Sequence, residues 1–489
     1  MKTIQRQNKS GSALVMVLVV LIIVMGLTTV SLKNSVHLMR VSQRQVWMEQ
    51  AHFVAESGIE EAARLINRSS YMGGSVSEIT HTLGGESAEV VITPINNQGH
   101  EFSVRSEATV NGITKVVNLG RIYRPTYLNY GNFYEDFGGY WWIYGEEIDG
   151  KIWTGTTQNI MGYNLSNGEK YGPVFTDLNE TKANNFGGSP EYASTLKSGV
   201  ELSERTYDDL QFWGDDYEDG YETGVSKPAL LDVDFEQTST IAGILNADPD
   251  TLDPRKVNPA SMPKNVTLKL KGKTELRFSV DTVQGVEVGI LEIKNDDLFG
   301  NYNWNAVYSE SIDMVYVEEL TGGGRHNPNK GADIILGDTN SSASANILKG
   351  NMTIWSEGTI TVPNHIIYDN QNLEESTDKL GVIAKDDIWF DRASGDLVIQ
   401  GGFIATGANG SGSDKGELGL KNYGNGVVRG KLYFLGSMVS EKVSPFGQFS
   451  GTRFVSGYST IHQFDERFLT APPPFTPVID SEINYEDYF

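Results

Sequence analysis

The sequence predicts an α+β protein that is mainly β. A long N-terminal helix comes first, then a small antiparallel sheet, then a large β-solenoid (β-helix), with a β-sandwich as the alternative for the last part. Three observations carry this. Residues 10 to 32 form an apolar run without a single charge. Residues 33 to 68 keep a helical apolar period with almost no turn residues. Beyond residue 260, short apolar runs recur between Gly, Asn, Asp and Pro, and no helical period of useful length intervenes.

At 489 residues the chain exceeds one ordinary core, so two or three structural units are expected. It has no cysteine, which excludes disulfides, thiolate metal sites and a cysteine nucleophile. The net charge of −24 is unevenly placed, because residues 1 to 68 hold eight Lys/Arg against four Glu. The remainder is therefore strongly acidic and repels polyanions, so nucleic acid is not a partner. With 53 glycines against 16 prolines, the chain has the composition of many turns between short strands.

Residues 1–11 are a basic leader, with Lys2, Arg6 and Lys9 and no acid. The helix is read over 12–68. Its segment 12–32 is long enough at about 1.5 Å per residue to cross a hydrocarbon core of roughly 30 Å. The basic leader places the N-terminus in the cytoplasm and the bulk of the chain outside it. A secretory signal is the competing reading. The run is longer than a usual signal core, however, and no small-x-small site follows it. Segment 33–68 is amphipathic, with Trp47, Ala51, Val54, Ala55, Gly58, Ala62 and Leu65 recurring at steps of three and four.

These residues resemble a known family. A short basic leader ending in Gly11, then SALVMVLVVLIIVMGL, then QAHFVAESGIEEAARLI, looks like the N-terminus of type IV pilin-like proteins, PilX-like pilus assembly proteins and large minor pseudopilins above all. The resemblance covers about the first 68 residues. It implies a bacterial inner-membrane protein with a single pass and a periplasmic bulk, displayed at the cell surface or in a pilus. It also implies cleavage by a prepilin peptidase between Gly11 and Ser12, and assembly with other pilin-like subunits through the helix. Met16, Leu21, Gly26, Trp47, Phe53, Glu56 and Gly58 would be membrane and assembly positions. Major pilins carry Glu at the fifth mature position, where this chain has Met16. A carboxylate in lipid needs a partner, and in pilins that partner is thought to be the N-terminal amine of the preceding subunit. Its absence points to a minor subunit of a pilus or a type II secretion-type assembly.

Residues 69–124 read as a small pilin-like β region. It opens with the turn-rich stretch SSYMGGSVSEITHTLGGES and continues with alternating strands from AEVVITPI to GITKVVNLGRIY. This sheet is where the apolar stripe of the helix finds its partner. Residues 125–260 are aromatic and acidic, an irregular β region whose Tyr, Trp and Phe build a core or, as the sharper reading, a carbohydrate-stacking surface. Residues 261–477 carry the regular short runs of the β-helix-like domain, and 478–489 are an acidic tail. From 350 to 477 the order of GNMTIWSEGTITVP, LGVIAKDDIWF, KLYFLGSMVS and DERFLTAPPPF resembles the C-terminal β-helical region of large PilX-like proteins. The last element, with Asp465, Arg467, Pro472 and Pro473, is expected to cap the strand stack, since proline cannot donate to a ladder.

Catalytic motifs are missing. The seven histidines are scattered without metal-ligand spacing, no G-x-S-x-G elbow occurs, and GNGVVRGK misses P-loop spacing by one residue. Calcium is the one cofactor with a hint. Asp215, Asp216, Glu218 and Asp219 lie in an oxygen-rich, Gly-ended stretch, but Tyr217 and Ser226 stand where an EF-hand needs acids. The function expected is structural display of the β module toward a surface glycan or protein, without enzyme activity. A membrane-anchored polysaccharide-active or carbohydrate-binding β-helix protein is the alternative.

Overall fold

The computed structural model describes residues 10–66, 76–95, 101–143, 146–156, 158–161, 251–295, 303–320, 331–338, 345–407, 416–450 and 453–479. Short strand segments between 163 and 223 and three residues near 235 complete it. The chain divides into two compact units. One holds Met1–Leu65, Ser75–Thr93 and Phe102–Ile122, the other Ile66–Gly74, Pro94–Glu101 and Tyr123–Phe489.

The first unit is built on α1 (Ser10–Ile66), 57 residues long and about 85 Å from end to end. Thr28 and Thr29 would be liabilities in an apolar span, but their hydroxyls donate back to the carbonyls of Val24 (2.8 Å) and Met25 (2.7 Å). The four strands β1 (Ser77–Leu83), β2 (Glu86–Pro94), β3 (Glu101–Val110) and β4 (Ile113–Tyr123) form a sheet in that order. β1 and β2 are antiparallel around Gly84 and Gly85, both at positive φ, and Asn111 and Gly112 turn β3 into β4 the same way. β1 falls in the turn-rich stretch that opens this region in the sequence. Its apolar content is low, and pairing with β2 rather than a buried face holds it.

Alternation decides how helix and sheet meet. Ala88, Val90 and Ile92 of β2 and Phe102, Val104, Ala108 and Val110 of β3 are buried. So are Ala51, Val54, Ala55, Ile59, Ala62 and Ala63 of α1. Small residues on the helix let the two backbones approach closely. A Cβ placed on Gly58 would fall 2.8 Å from the Val90 side chain and against the Ser106 hydroxyl. Gly58→Val is therefore expected to destabilise this unit by about 1–3 kcal/mol through overpacking, read as an earlier unfolding transition of the detergent-solubilised chain. An unchanged transition would mean that helix and sheet are not in this contact.

The second unit is a strongly curled, mostly parallel stack of short strands. Asn351–Ser356 pairs in parallel with Lys379–Ala384, and Ile360–Val362 with Ile388–Phe390, each pair 28 residues apart along the chain. Three such ladders run together. The first climbs from Val266–Lys271 through Ile312–Glu318, Asn351–Ser356 and Lys379–Ala384 to Leu397–Ala405 and Val428–Val443. The ladders pair coil to coil in parallel, unlike the antiparallel sheets of the alternative sandwich. Inside the curl, Leu268, Val315, Ile354, Val382, Phe403 and Met438 belong to one apolar core and occupy one row of pairing partners.

The stack does not end with the last coil of sequence. Val428–Val443 pairs in parallel with β5 (Asn132–Asp136), β5 with Ile152–Thr154, and that strand with Asn179–Thr181. Residues from the aromatic region thus extend a ladder that began beyond residue 260. On its outer side this ladder carries Tyr316, Trp355, Ile383, Ile404, Val439, Phe133 and Trp153 in register. Both faces are apolar, as in other parallel sheets buried on two sides. The outer row is covered by Tyr127, Leu128, Phe464, Phe468, Phe475 and Ile479.

This corrects the expectation for the proline run. Thr353 donates to the Pro474 carbonyl and Pro473 lies over Gly381, so the segment straps the flank of the stack at mid-height. It does not cap an end, because Arg453–Gln463 still pairs onward with Glu147–Ile148.

Candidate functional site

The feature of α1 with functional content is its division between two surroundings. Every described side chain from Leu14 to Val46 is exposed, including Met16 at 72% and Leu21 at 50%, whereas Ala51, Val54 and Ala55 are buried. By length and composition the exposed apolar part suffices to cross a membrane. Gly11 and Ser12 lie in the first turn of the helix. Gly26 sits in the exposed run with open space around it. Trp47 is half-buried where the buried stripe begins, and Gly58 is buried at its centre. Phe53, by contrast, points away from the sheet and is 67% exposed. Glu56 is half-buried and lies 3.1 Å from His52 one turn back.

In the second unit most described aromatics of the 130–175 region are core, while Trp141 is 37% exposed. Tyr134, Phe137, Tyr140, Trp142 and Phe175 pack on one another with ring centroids 5.2–6.5 Å apart. Into that core projects the carboxylate of Glu146, which accepts from Tyr140 Oη (2.8 Å) and the Ile143 amide (2.9 Å). Burial pushes its pKa up to about 7, against the lowering effect of those two bonds. A second buried polar group joins β5 to the last coil. Tyr134 Oη donates to Asn132 Oδ1 (2.7 Å), the Asn132 amide meets His462 Nδ1 (2.8 Å), and His462 Nε2 donates to the Gly436 carbonyl (2.9 Å). Burial holds His462 neutral, with its pKa down to about 4. The His462 group depends on partners that only the coiling brings together, whereas Glu146 takes its hydrogen bonds from Ile143 and Tyr140, three and six residues away.

A third group holds the strap. Arg467 donates through Nε (2.8 Å) and Nη2 (2.7 Å) to the two oxygens of Asp465 and through Nη1 to the Ser376 carbonyl (2.9 Å). The pair is buried, with Asp465 only 1% exposed. Lys379, whose pKa is brought to about 8 by burial and then by Arg467, donates to the Ala471 carbonyl (2.6 Å).

The calcium candidates Asp215, Asp216, Glu218 and Asp219 lie outside the described residues. Among the described residues no cluster of three or more His, Asp and Glu is placed to hold a metal ion. Asp253 is engaged by Arg255 through both carboxylate oxygens at 2.9 Å. In GNGVVRGK, Arg429 is buried and donates to the carbonyls of Arg392 (2.7 Å) and Lys421 (3.0 Å), a turn-locking arrangement.

No family model matches the sequence, and no curated protein matches it. Among solved structures, the chain is similar to the competence-associated pilin ComZ from Thermus thermophilus, at 12% identity and a TM-score of 0.31, over 89% of this chain and 96% of that one.

Proposed function

We propose that this chain is a pilin-like subunit, a minor and PilX-like component of a type IV pilus or type II secretion-type assembly. It exports a β-helical module for priming, adhesion or cargo contact. The observation that supports this reading is one unbroken helix with an exposed apolar run at Leu14–Leu32 and a buried stripe from Ala51 on a four-stranded sheet. A signal peptide would be discarded, and a helix of the apolar run alone would only anchor. A continuous rod transmits force and position from the bilayer to the folded part.

In this reading the inner membrane holds the apolar run, with the N-terminus cytoplasmic and the bulk periplasmic. Prepilin peptidase cuts after Gly11, and other pilin-like subunits pack on the helix. Met16 offers no carboxylate for a neighbour's amine, which favours a minor place over the filament's repeat. The module acts by contact with a glycan or protein surface and performs no catalysis. Intact-mass analysis of the membrane form is expected to show a start at Ser12, with or without an added methyl group. A mature form that keeps Met1 overturns the reading.

A further inference from the structure

One outer row crosses six strands of the second unit. Trp304 pairs with Lys294, Lys294 with Glu275, Glu275 with Ile335, Ile335 with Thr361, and Thr361 with Trp389. Directly paired residues point to the same face of a sheet. Next to them in their strands, Ile293, Leu276, Ile334, Ile360 and Ile388 belong to the apolar core, so the row faces outward. All six of its members are half-exposed. Five strand steps of about 4.8 Å set the two tryptophans about 24 Å apart. The row stops at Trp389, because Ser444 closes over Gly419, its partner in the next coil.

An indole at each end with polar side chains between them suits a sugar chain. The faces of a pyranose ring are apolar and stack on aromatic rings, while its hydroxyls exchange hydrogen bonds with polar groups. The charges on this face neutralise one another. Lys294 lies 3.0 Å from Glu275, and Arg277 lies 3.3 Å from Asp338. The Arg277 guanidinium also stands 3.9 Å from the centroid of the Trp304 ring and holds the indole in place. A face built from such pairs selects no charged ligand. The net charge of −24 moreover repels acidic polymers, single-stranded nucleic acid among them. We propose that this row is a binding platform for a linear, uncharged, β-linked glycan, laid across the strands with one sugar on each indole.

An extended β-linked chain advances by nearly one strand spacing per sugar, so six sugars match six strands. A coiled α-linked chain does not keep that spacing. The ladder hydrogen bonds fix every position of the row before a ligand arrives, so little order has to be gained on binding. Neither tryptophan comes from the aromatic region 125–260, where the sequence placed the candidate stacking surface. The inference rests on the reading of the β module as a contact surface and adds to it the class of ligand and its place.

Isothermal titration calorimetry of the full-length chain in a sugar-free detergent, with cellohexaose and with chitohexaose, tests the platform. At least one hexamer is expected to bind. Its disaccharide, too short to reach both indoles, is expected to bind at least about tenfold more weakly. Trp304→Ala and Trp389→Ala are each expected to weaken the hexamer about tenfold. Ile335→Arg sets a long side chain in the middle of the row and leaves the apolar interior untouched. It is expected to weaken the hexamer to a similar degree, and it decides the matter if an alanine variant fails to fold. No binding of either hexamer at millimolar concentration, an affinity indifferent to Ile335→Arg, or tighter binding of hexagalacturonate or an oligothymidylate overturns the platform. The mass of the N-terminus separates this result from the pilin-like reading. A chain that starts at Ser12 and binds no hexamer refutes the platform alone, whereas a chain that keeps Met1 and binds one refutes only the pilin-like reading.

Discussion

Replacing Asp465 with alanine is expected to lower the unfolding free energy of the second unit by about 3–5 kcal/mol, the cost of leaving a buried partner charge uncompensated. Arg467 is only 16% exposed and would keep its bond to the Ser376 carbonyl while losing both carboxylate oxygens. Lys379 stands beside it, donating to Ala471, so two cations would face each other without an anion between them. The strap that covers Ile383, Trp355 and Ile404 would then loosen, exposing the outer apolar row. Denaturant titration of the full chain in detergent, followed by tryptophan fluorescence, reads the change. A loss below about 1 kcal/mol would place the pair in the class of exposed ion pairs, contrary to its burial.

The second large effect is a dependence on pH. Glu146 has a folded pKa of about 7 against an ordinary value of 4.5. The folded state therefore keeps a proton that the unfolded state releases. Its stabilising contribution is complete below pH 4.5 and is lost as pH rises to 7, by about 3 kcal/mol in total. His462 runs the opposite way. Its folded pKa of about 4 lies below the ordinary value of 6.5, so stability is lost as pH falls from 6.5 to 4. Across pH 4.5–6.5 the two slopes oppose each other. The Glu146→Gln variant removes one of them. Its stability relative to the wild type is expected to rise by about 3 kcal/mol between pH 4.5 and 7, measured by denaturant titration at fixed ionic strength. A flat difference would show that Glu146 ionises freely in the folded chain.

How much of this was legible in the sequence depended on the range of the interaction. The helix was legible because its signals are local: a charge-free run, then Ala51, Ala55, Gly58 and Ala62 at helical spacing. The alternation in β2 and β3 was legible for the same reason, with Phe102, Val104 and Val110 on one face. β1 was not, since its order comes from hydrogen bonds to β2 and its own residues are half-exposed. Short strands beyond 260 could be read as stacked coils, but not their neighbours. Nothing local tells Phe133 that it will lie beside Val439, and Asp465 looks exposed until the strap lies against Ser376. Of the residues with perturbed protonation, His462 and Lys379 were unreadable because their partners come from distant coils, and Glu146 because an acid among local aromatics reads the same whether or not the segment is buried.

The meeting of β5 with Val428–Val443 bears on how this chain matures. Residues near 133 leave the ribosome some 300 positions before the strand they lie beside. An early segment rich in Tyr, Trp and Phe must wait for this neighbour until the last coil has been synthesised. Contacts of such sequence separation close late and slowly, and the exposed apolar segment is prone to association meanwhile. The finished stack is thus sealed by its beginning and its end together, and a chain truncated before residue 428 would have no coil to receive its aromatic segment.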